Sequence, residues 1–314
     1  MGNLDKTKIA FFDIDGTVSK RPLPEQALKV LDGLKRHFSE IKDDYDLRLK
    51  QDMLGNHLEA AKKKYRETND DADFGEYSHQ LVGYLMSSLN RYSLDELRDV
   101  AQKAVDRALY YDFSVELIEV LRSEGYKLIA ISGSPQFLVD AFVEKFNFDG
   151  GVGQIFIQDP QDLRYKPVGP ETYHNKDKII RDFLRENYDL LSGHYRSKCW
   201  DDFKIVAVGD TAGDFEMLKL AEIAFAINPS SGLLDKISQS WDSQKRFYSV
   251  QVAKNSAFAA NLTDTHRVFS VQGSVLSVSQ TNILHKKADY ANFTSDVLRK
   301  TEEDIDIDRM IRGD

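Results

Sequence analysis

One cysteine, Cys199, stands in 314 residues, so the chain can form neither an internal disulfide nor a thiolate cluster for a metal. Positive charge is also in deficit: 42 Lys and Arg face 51 Asp and Glu, a formal net charge of −9. That balance argues against a general affinity for nucleic acid or for an anionic membrane surface. No run approaches the ~18 apolar residues of a membrane-spanning helix. The opening MGNLDKTKIA holds no signal-peptide apolar region, and Lys6 stands where a myristoylation pattern needs Ser or Thr. A cytoplasmic chain is the expectation. The seven histidines form no HExxH pattern, and no Walker A sequence occurs. Gly150-Gly151-Val152-Gly153 fails as a dinucleotide fingerprint, because Phe156 replaces the last glycine and a strand rather than a helix follows. What is present suffices for a sizeable core, with 41% apolar and 11% aromatic residues. The length corresponds to about two domains at ~150 residues each.

Lys8 to Phe12 is a short apolar run ending in Asp13-Ile14-Asp15-Gly16-Thr17, which reads as a buried parallel strand and a polar turn. After Pro22 and Pro24 the period becomes helical, with Leu28, Leu31, Leu34 and Phe38 on one stripe. Residues 40–75 are highly charged, with helical patches and a loop-like stretch at 69–73. A helix is expected from Gln80 to Leu89, and Ser93 to Glu96 forms a capping box before another apolar stripe. From Ser114 strands and helices alternate. Strand candidates are Lys127–Ile131, Gln154–Ile157, Lys204–Val208 and Ile223–Ile227, with Ser132 to Pro135 as a turn and Gly125 as a left-handed helix stop. The expected architecture is α/β: a Rossmann-like doubly wound parallel sheet core with an inserted all-helical cap domain and a C-terminal extension. Residues 1–17 and 112–235 form the core, 18–111 the cap and 236–314 the extension. In that extension Tyr248–Val252, Arg267–Val271 and Ser274–Val278 suggest strands, Ser295–Arg299 starts a helix, and an acidic tail closes the chain.

In open α/β sheets, chemistry gathers at the carboxyl ends of the strands. Three such ends carry polar groups: Asp13 with Asp15, Ser132, and Asp210 with Asp214; Lys176 precedes the last of these. Carboxylates crowded into one crevice repel one another unless a divalent cation joins them, and oxygen-only ligation suits Mg²⁺. A carboxylate beside such a cation can attack phosphorus, and a second one two residues on can protonate the leaving oxygen. Ser132 and Lys176 would hold the phosphoryl oxygens. The tripeptide Asp304-Ile305-Asp306 provides a contrast: it repeats D-I-D without a preceding strand or a following Gly-Thr, and reads as a solvated acidic segment.

In order along the chain, FFDIDGT at 11–17, IAISGSP at 129–135, Lys176 and VGDTAGD at 208–214 resemble the haloacid dehalogenase (HAD) superfamily, in its phosphoserine phosphatase-like branch. The resemblance implies Asp13 as nucleophile and Mg²⁺ ligand, Asp15 as general acid/base with its backbone carbonyl on the metal, and Asp210 as a further ligand. It implies Ser132 and Gly133 as phosphate binders, Lys176 (or alternatively Lys178) as the charge-stabilising lysine, and Asp214 as support behind the metal. Gly213 stands where the family often has Asn. The implied function is Mg²⁺-dependent hydrolysis of a small phosphorylated metabolite through an aspartyl-phosphate. A phosphotransferase or mutase with the same residues, or a binding or regulatory protein on this fold, are the alternatives. Phosphoserine-specific relatives carry a Glu soon after the first motif and an Arg in the cap. Here Lys20 to Pro24 and the segment after Phe74 offer neither in place, which argues against phosphoserine.

Overall fold

A computed structural model describes residues 6–35, 45–68, 70–89, 92–159, 165–169, 171–172, 175–187, 202–240, 246–252, 266–271, 282–284, 294–295 and 298. Its centre is one sheet. Strands β1 (Thr7–Phe12), β2 (Lys127–Pro135), β3 (Gly150–Gln158), β4 (Tyr165–Val168), β5 (Phe203–Gly209), β6 (Ile223–Ile227), β7 (Arg246–Val252), β8 (His266–Val271) and β9 (Asn282–Leu284) lie in the order β4-β3-β2-β1-β5-β6-β7-β8-β9. From β3 to β7 all pairings are parallel, whereas β4, β8 and β9 join antiparallel at the two sides.

Alternation along the central strands sends side chains to opposite faces. On β1, Ala10 and Phe12 enter one apolar cluster while Ile9 and Phe11 enter another; Val206 and Val208 of β5 part from Ile205 and Ala207 in the same way. The first face is covered by α1 (Leu23–Lys35), α4 (Leu94–Arg107), α5 (Asp112–Ser123) and α6 (Gln136–Phe146). The second is covered by α7 (Lys176–Glu186), α8 (Phe215–Leu220) and α9 (Ser231–Ser240). A sheet buried on both faces requires the continuous apolar strands seen in the sequence, and the fold is the doubly wound α/β class. Glycines at 150–153 belong to β3 and let α6 settle on it: a Cβ at Gly151 would lie 2.7 Å from Val139 and Val143 side-chain atoms.

Between β1 and α5 the described elements are helices, apart from isolated β-bridges of Ser19 to Asp15 and Tyr110. The charged stretch at 40–75 contains one long helix, α2 (Tyr45–Thr68), followed by α3 (Asp71–Ser88). Asp70 accepts from the Ala72 amide at 2.8 Å and caps α3, so residues 70–73 start a helix instead of forming a loop. Leu58, Tyr77 and Leu81 are the buried seam of this pair, flanked by Tyr65 and Phe74. The capping box at Ser93 and Glu96 is formed, and Gly125 has φ +83°. Past β6 the sheet continues, with β7 adding another parallel strand at 246–252. The expected strand at 274–278 lies outside the described residues, as do the acidic tail and most of 295–299.

Candidate active site

β1 lies between β2 and β5 in the sheet, and the polar ends of these parallel strands meet at the carboxyl edge. Asp13 follows β1 directly, its amide donating to the Val208 carbonyl at 2.9 Å, which extends the β1–β5 ladder by one residue. Gly16, at φ +94°, then turns the chain. A Cβ there would lie 2.1 Å from Asp210 Oδ2, so this position needs glycine for conformation and for closeness. Gly16→Ala should therefore add ~1–2 kcal/mol of backbone strain and push Asp210 aside. Were a divalent cation held by Asp210, displacing that carboxylate would raise the Mg²⁺ concentration for half-maximal stabilisation in a thermal melt about tenfold, a factor of ten in affinity being ~1.4 kcal/mol. An unchanged requirement would separate Asp210 from the cation.

Lys176 opens α7 and is 3% exposed. Its Nζ donates to Asp13 Oδ1 at 2.5 Å and to Asp214 Oδ1 at 2.6 Å. Burial alone would push this ammonium's pKa down, but the two carboxylates more than reverse that, and it stays charged. Lys178, the alternative, is exposed. Asp214 uses its other oxygen, Oδ2, to accept from the Asp210 amide and from the amide and hydroxyl of Thr211 at 2.9–3.1 Å. Both of its oxygens are thus engaged within the protein.

Asp13, Asp210 and Asp214 bring carboxylate oxygens within 4.8 Å of one another. Burial, with Asp214 and Asp15 adding to it and Lys176 opposing it, raises the Asp13 pKa to about 7; burial and the neighbouring Asp13 raise Asp210 strongly as well. Thr17, fully buried, places its hydroxyl 3.0 Å from Asp13 Oδ2 and 2.9 Å from Asp210 Oδ1. A hydroxyl has one hydrogen, so only one of the two contacts can be its donation. The cluster is short of positive charge by this count, and its donors are all oxygen. That fits a hard divalent cation on Asp13 and Asp210, with Asp214 orienting Lys176 and the Asp210–Thr211 turn.

Asp15 has different surroundings. Its Oδ1 accepts from the Leu23 amide at 2.7 Å, and its Oδ2 from Ser132 Oγ at 3.0 Å and Ser134 Oγ at 2.5 Å. Burial raises its pKa while these donors, Ser134 foremost, restrain the rise. Ser132 therefore contacts Asp15 as well as bordering the cavity, and Ser134 and Thr17 are contacts that the motif reading did not assign. Both lie inside quoted motifs, IAISGSP and FFDIDGT, which was the available signal.

A cavity of about 540 Å³ opens from Asp13, Asp15, Ser132, Gly133 and Lys176. It is roofed by α3 and walled by β3 and β4. At the N-terminus of α3, Asp71 Oδ2 accepts from Ser230 Oγ at 2.8 Å and Asp71 also accepts from the Ala212 amide, while the Ser230 amide donates to the Asp210 carbonyl at 2.8 Å. No sequence pattern announces this contact.

A family model described as haloacid dehalogenase-like hydrolase matches residues 10–219. No curated protein matches the chain. Among solved structures, a protein of unknown function from Bordetella pertussis Tohama I has 17% identity and a TM-score of 0.53, covering 76% of this chain and 97% of that one. A HAD family hydrolase from Salmonella enterica serovar Typhi has 15% identity and a TM-score of 0.47, covering 74% and 66%. A phospho-aspartyl intermediate analogue of phosphoserine phosphatase has 18% identity and a TM-score of 0.46, covering 74% and 91%. Among the described residues no helix is long and apolar enough to cross a membrane.

Proposed function

Since the chain belongs to the haloacid dehalogenase-like hydrolase family, we propose that it hydrolyses phosphate monoesters of small molecules with Asp13 as nucleophile and Asp15 as general acid/base. One observation carries this reading. Two carboxylates two residues apart occupy unlike environments: Asp13 lies against Lys176 and the acidic cluster, and Asp15 is held by serine hydroxyls and an amide. Such a division is what an acid and a nucleophile sharing one site require.

An ionised Asp13 oxygen attacks phosphorus while the ester oxygen departs, and Asp15, its pKa raised by burial, gives that oxygen its proton. Asp15 then takes a proton from water, the water oxygen attacks the phosphorus of phospho-Asp13, and inorganic phosphate leaves with Asp13 restored. Lys176 holds Asp13 in place and faces the charge that develops on the phosphoryl oxygens. Mg²⁺ held by Asp13 and Asp210, with the Asp15 backbone carbonyl as a further ligand, would supply the positive charge that the cluster lacks. The helical insert over residues 18–111 serves as the cap that encloses the ester, and residues 112–235 with the β1 segment serve as the catalytic core.

The test is hydrolysis of p-nitrophenyl phosphate, expected with Mg²⁺, abolished by EDTA and restored by added metal. The same samples provide a thermal readout. Asp13 titrates near pH 7 when folded and at its ordinary value of 3.8 when unfolded. Its protonated form therefore stabilises the metal-free protein at low pH, and that contribution is lost as pH rises through about 7. Protons and cation compete for the same oxygens, so Mg²⁺ should raise the melting temperature more at pH 8 than at pH 6. Hydrolysis indifferent to EDTA, or a smaller Mg²⁺ effect at pH 8, would count against the assignment.

A further inference from the structure

The described lining of the cavity beyond the carboxylates is mostly apolar and carries little positive charge. Phe74, Val82 and Met86 line it from α3, and Phe156 and Tyr165 line it from the β3–β4 ribbon. Among the described lining residues there is one ammonium, Lys176, and no guanidinium. Lys176 is already paired with Asp13 and Asp214. The other lining group able to carry positive charge is the imidazole of exposed His79, while Glu171 adds a carboxylate at the opposite wall. At about 540 Å³ the space falls within the ~300–1,000 Å³ of small-molecule sites.

Resting on the phosphatase reading above, we infer that the alcohol half of the ester is uncharged and predominantly apolar, an aryl or branched alkyl group, and that a carboxylate or second phosphate on it is rejected. The physical ground is desolvation. Among the described residues of this wall an anion loses its hydration and finds no lysine or arginine to replace it, whereas a ring or alkyl group loses unfavourable water contact and meets aromatic faces. Specificity then resides on the α3 face at Phe74, Ser78 and Val82 and on the ribbon at Phe156 and Tyr165, with the phosphoryl end common to all substrates.

The experiment compares 4-isopropylphenyl phosphate with 4-carboxyphenyl phosphate at pH 8 in Mg²⁺. Isopropyl and carboxylate groups have nearly the same shape, and the carboxylate makes the better leaving group chemically, so intrinsic reactivity opposes the expected order. The isopropyl ester should lead by about 100-fold in kcat/KM, the scale on which an apolar pocket rejects an isostere that carries a polar group. Ser78→Lys, on the half-buried cavity side of α3, should shrink that ratio at least about tenfold by giving the carboxylate a partner. Equal rates, or a lead for the carboxylate ester in the wild type, would overturn the inference while leaving the phosphatase reading intact. A ratio unmoved by the lysine would overturn the α3 face as the specificity wall. Failure of both esters and of p-nitrophenyl phosphate would overturn the phosphatase reading itself.

Discussion

Asp13→Asn should reduce kcat for Mg²⁺-supported ester hydrolysis by at least ~10⁴-fold, because an amide oxygen cannot form the covalent phosphoryl link that replaces one hard step by two easier ones. The fold should not suffer. Asparagine keeps the shape of aspartate, the Asp13 amide keeps its bond to Val208, and Lys176 keeps Asp214 at 2.6 Å. Removing one of several carboxylates crowded below solvent relieves repulsion, so the melting temperature should stay level or rise in the absence of metal. Circular dichroism and a melt beside the rate measurement separate the two effects. Substantial turnover in a folded variant would show that Asp13 is not the nucleophile.

Lys176→Met should do the reverse, removing stability along with activity. The methionine fills the volume but leaves Asp13 and Asp214 buried against each other and against Asp210, with no cation among them. Breaking a buried ion pair from one side costs ~3–5 kcal/mol, and here two pairs share the lysine. The sign with pH follows. Without Lys176 the native carboxyls hold protons that the unfolded chain releases, so stability should fall as pH is raised from about 5.5 to 8. Mg²⁺ should recover part of the loss. Chemical denaturation at two pH values, with and without metal, measures this; a variant as stable as the parent at pH 8 would mean that Lys176 does not neutralise the cluster.

The sheet and the gathering of the motif residues at its carboxyl edge were legible in the sequence for one physical reason. A strand buried on both faces must be an uninterrupted apolar run, as at Lys8–Phe12 and Lys204–Val208, and the polar residues that end it are conspicuous by contrast. Lys176 was less legible, because its neighbour Lys178 has the same chemistry; of the two lysines only Lys176, at the first position of α7, is buried. α2 was read as patches because its charges mask a single seam against α3. Placing β7 within the parallel sheet needs knowledge of what pairs with β6, since periodicity reveals a strand and not its neighbour. The roles of Thr17 and Ser134 were hidden for a similar reason, each being a contact between segments far apart in the chain. The cavity walls are more distant still from sequence reading, being assembled from α3 and the β3–β4 ribbon.

Ser230 joins two parts of the molecule through one residue: its hydroxyl bonds Asp71 on the roofing helix, and its amide bonds the backbone of Asp210 in the acidic cluster. The helix that would grip the alcohol and the aspartate that would grip the cation are thus anchored to one residue. On the proposed reading the alcohol and the cation would be linked ligands: an alcohol that displaced α3 would act on the Asp210 turn, and a cation held there would act back on the roof with the same coupling free energy.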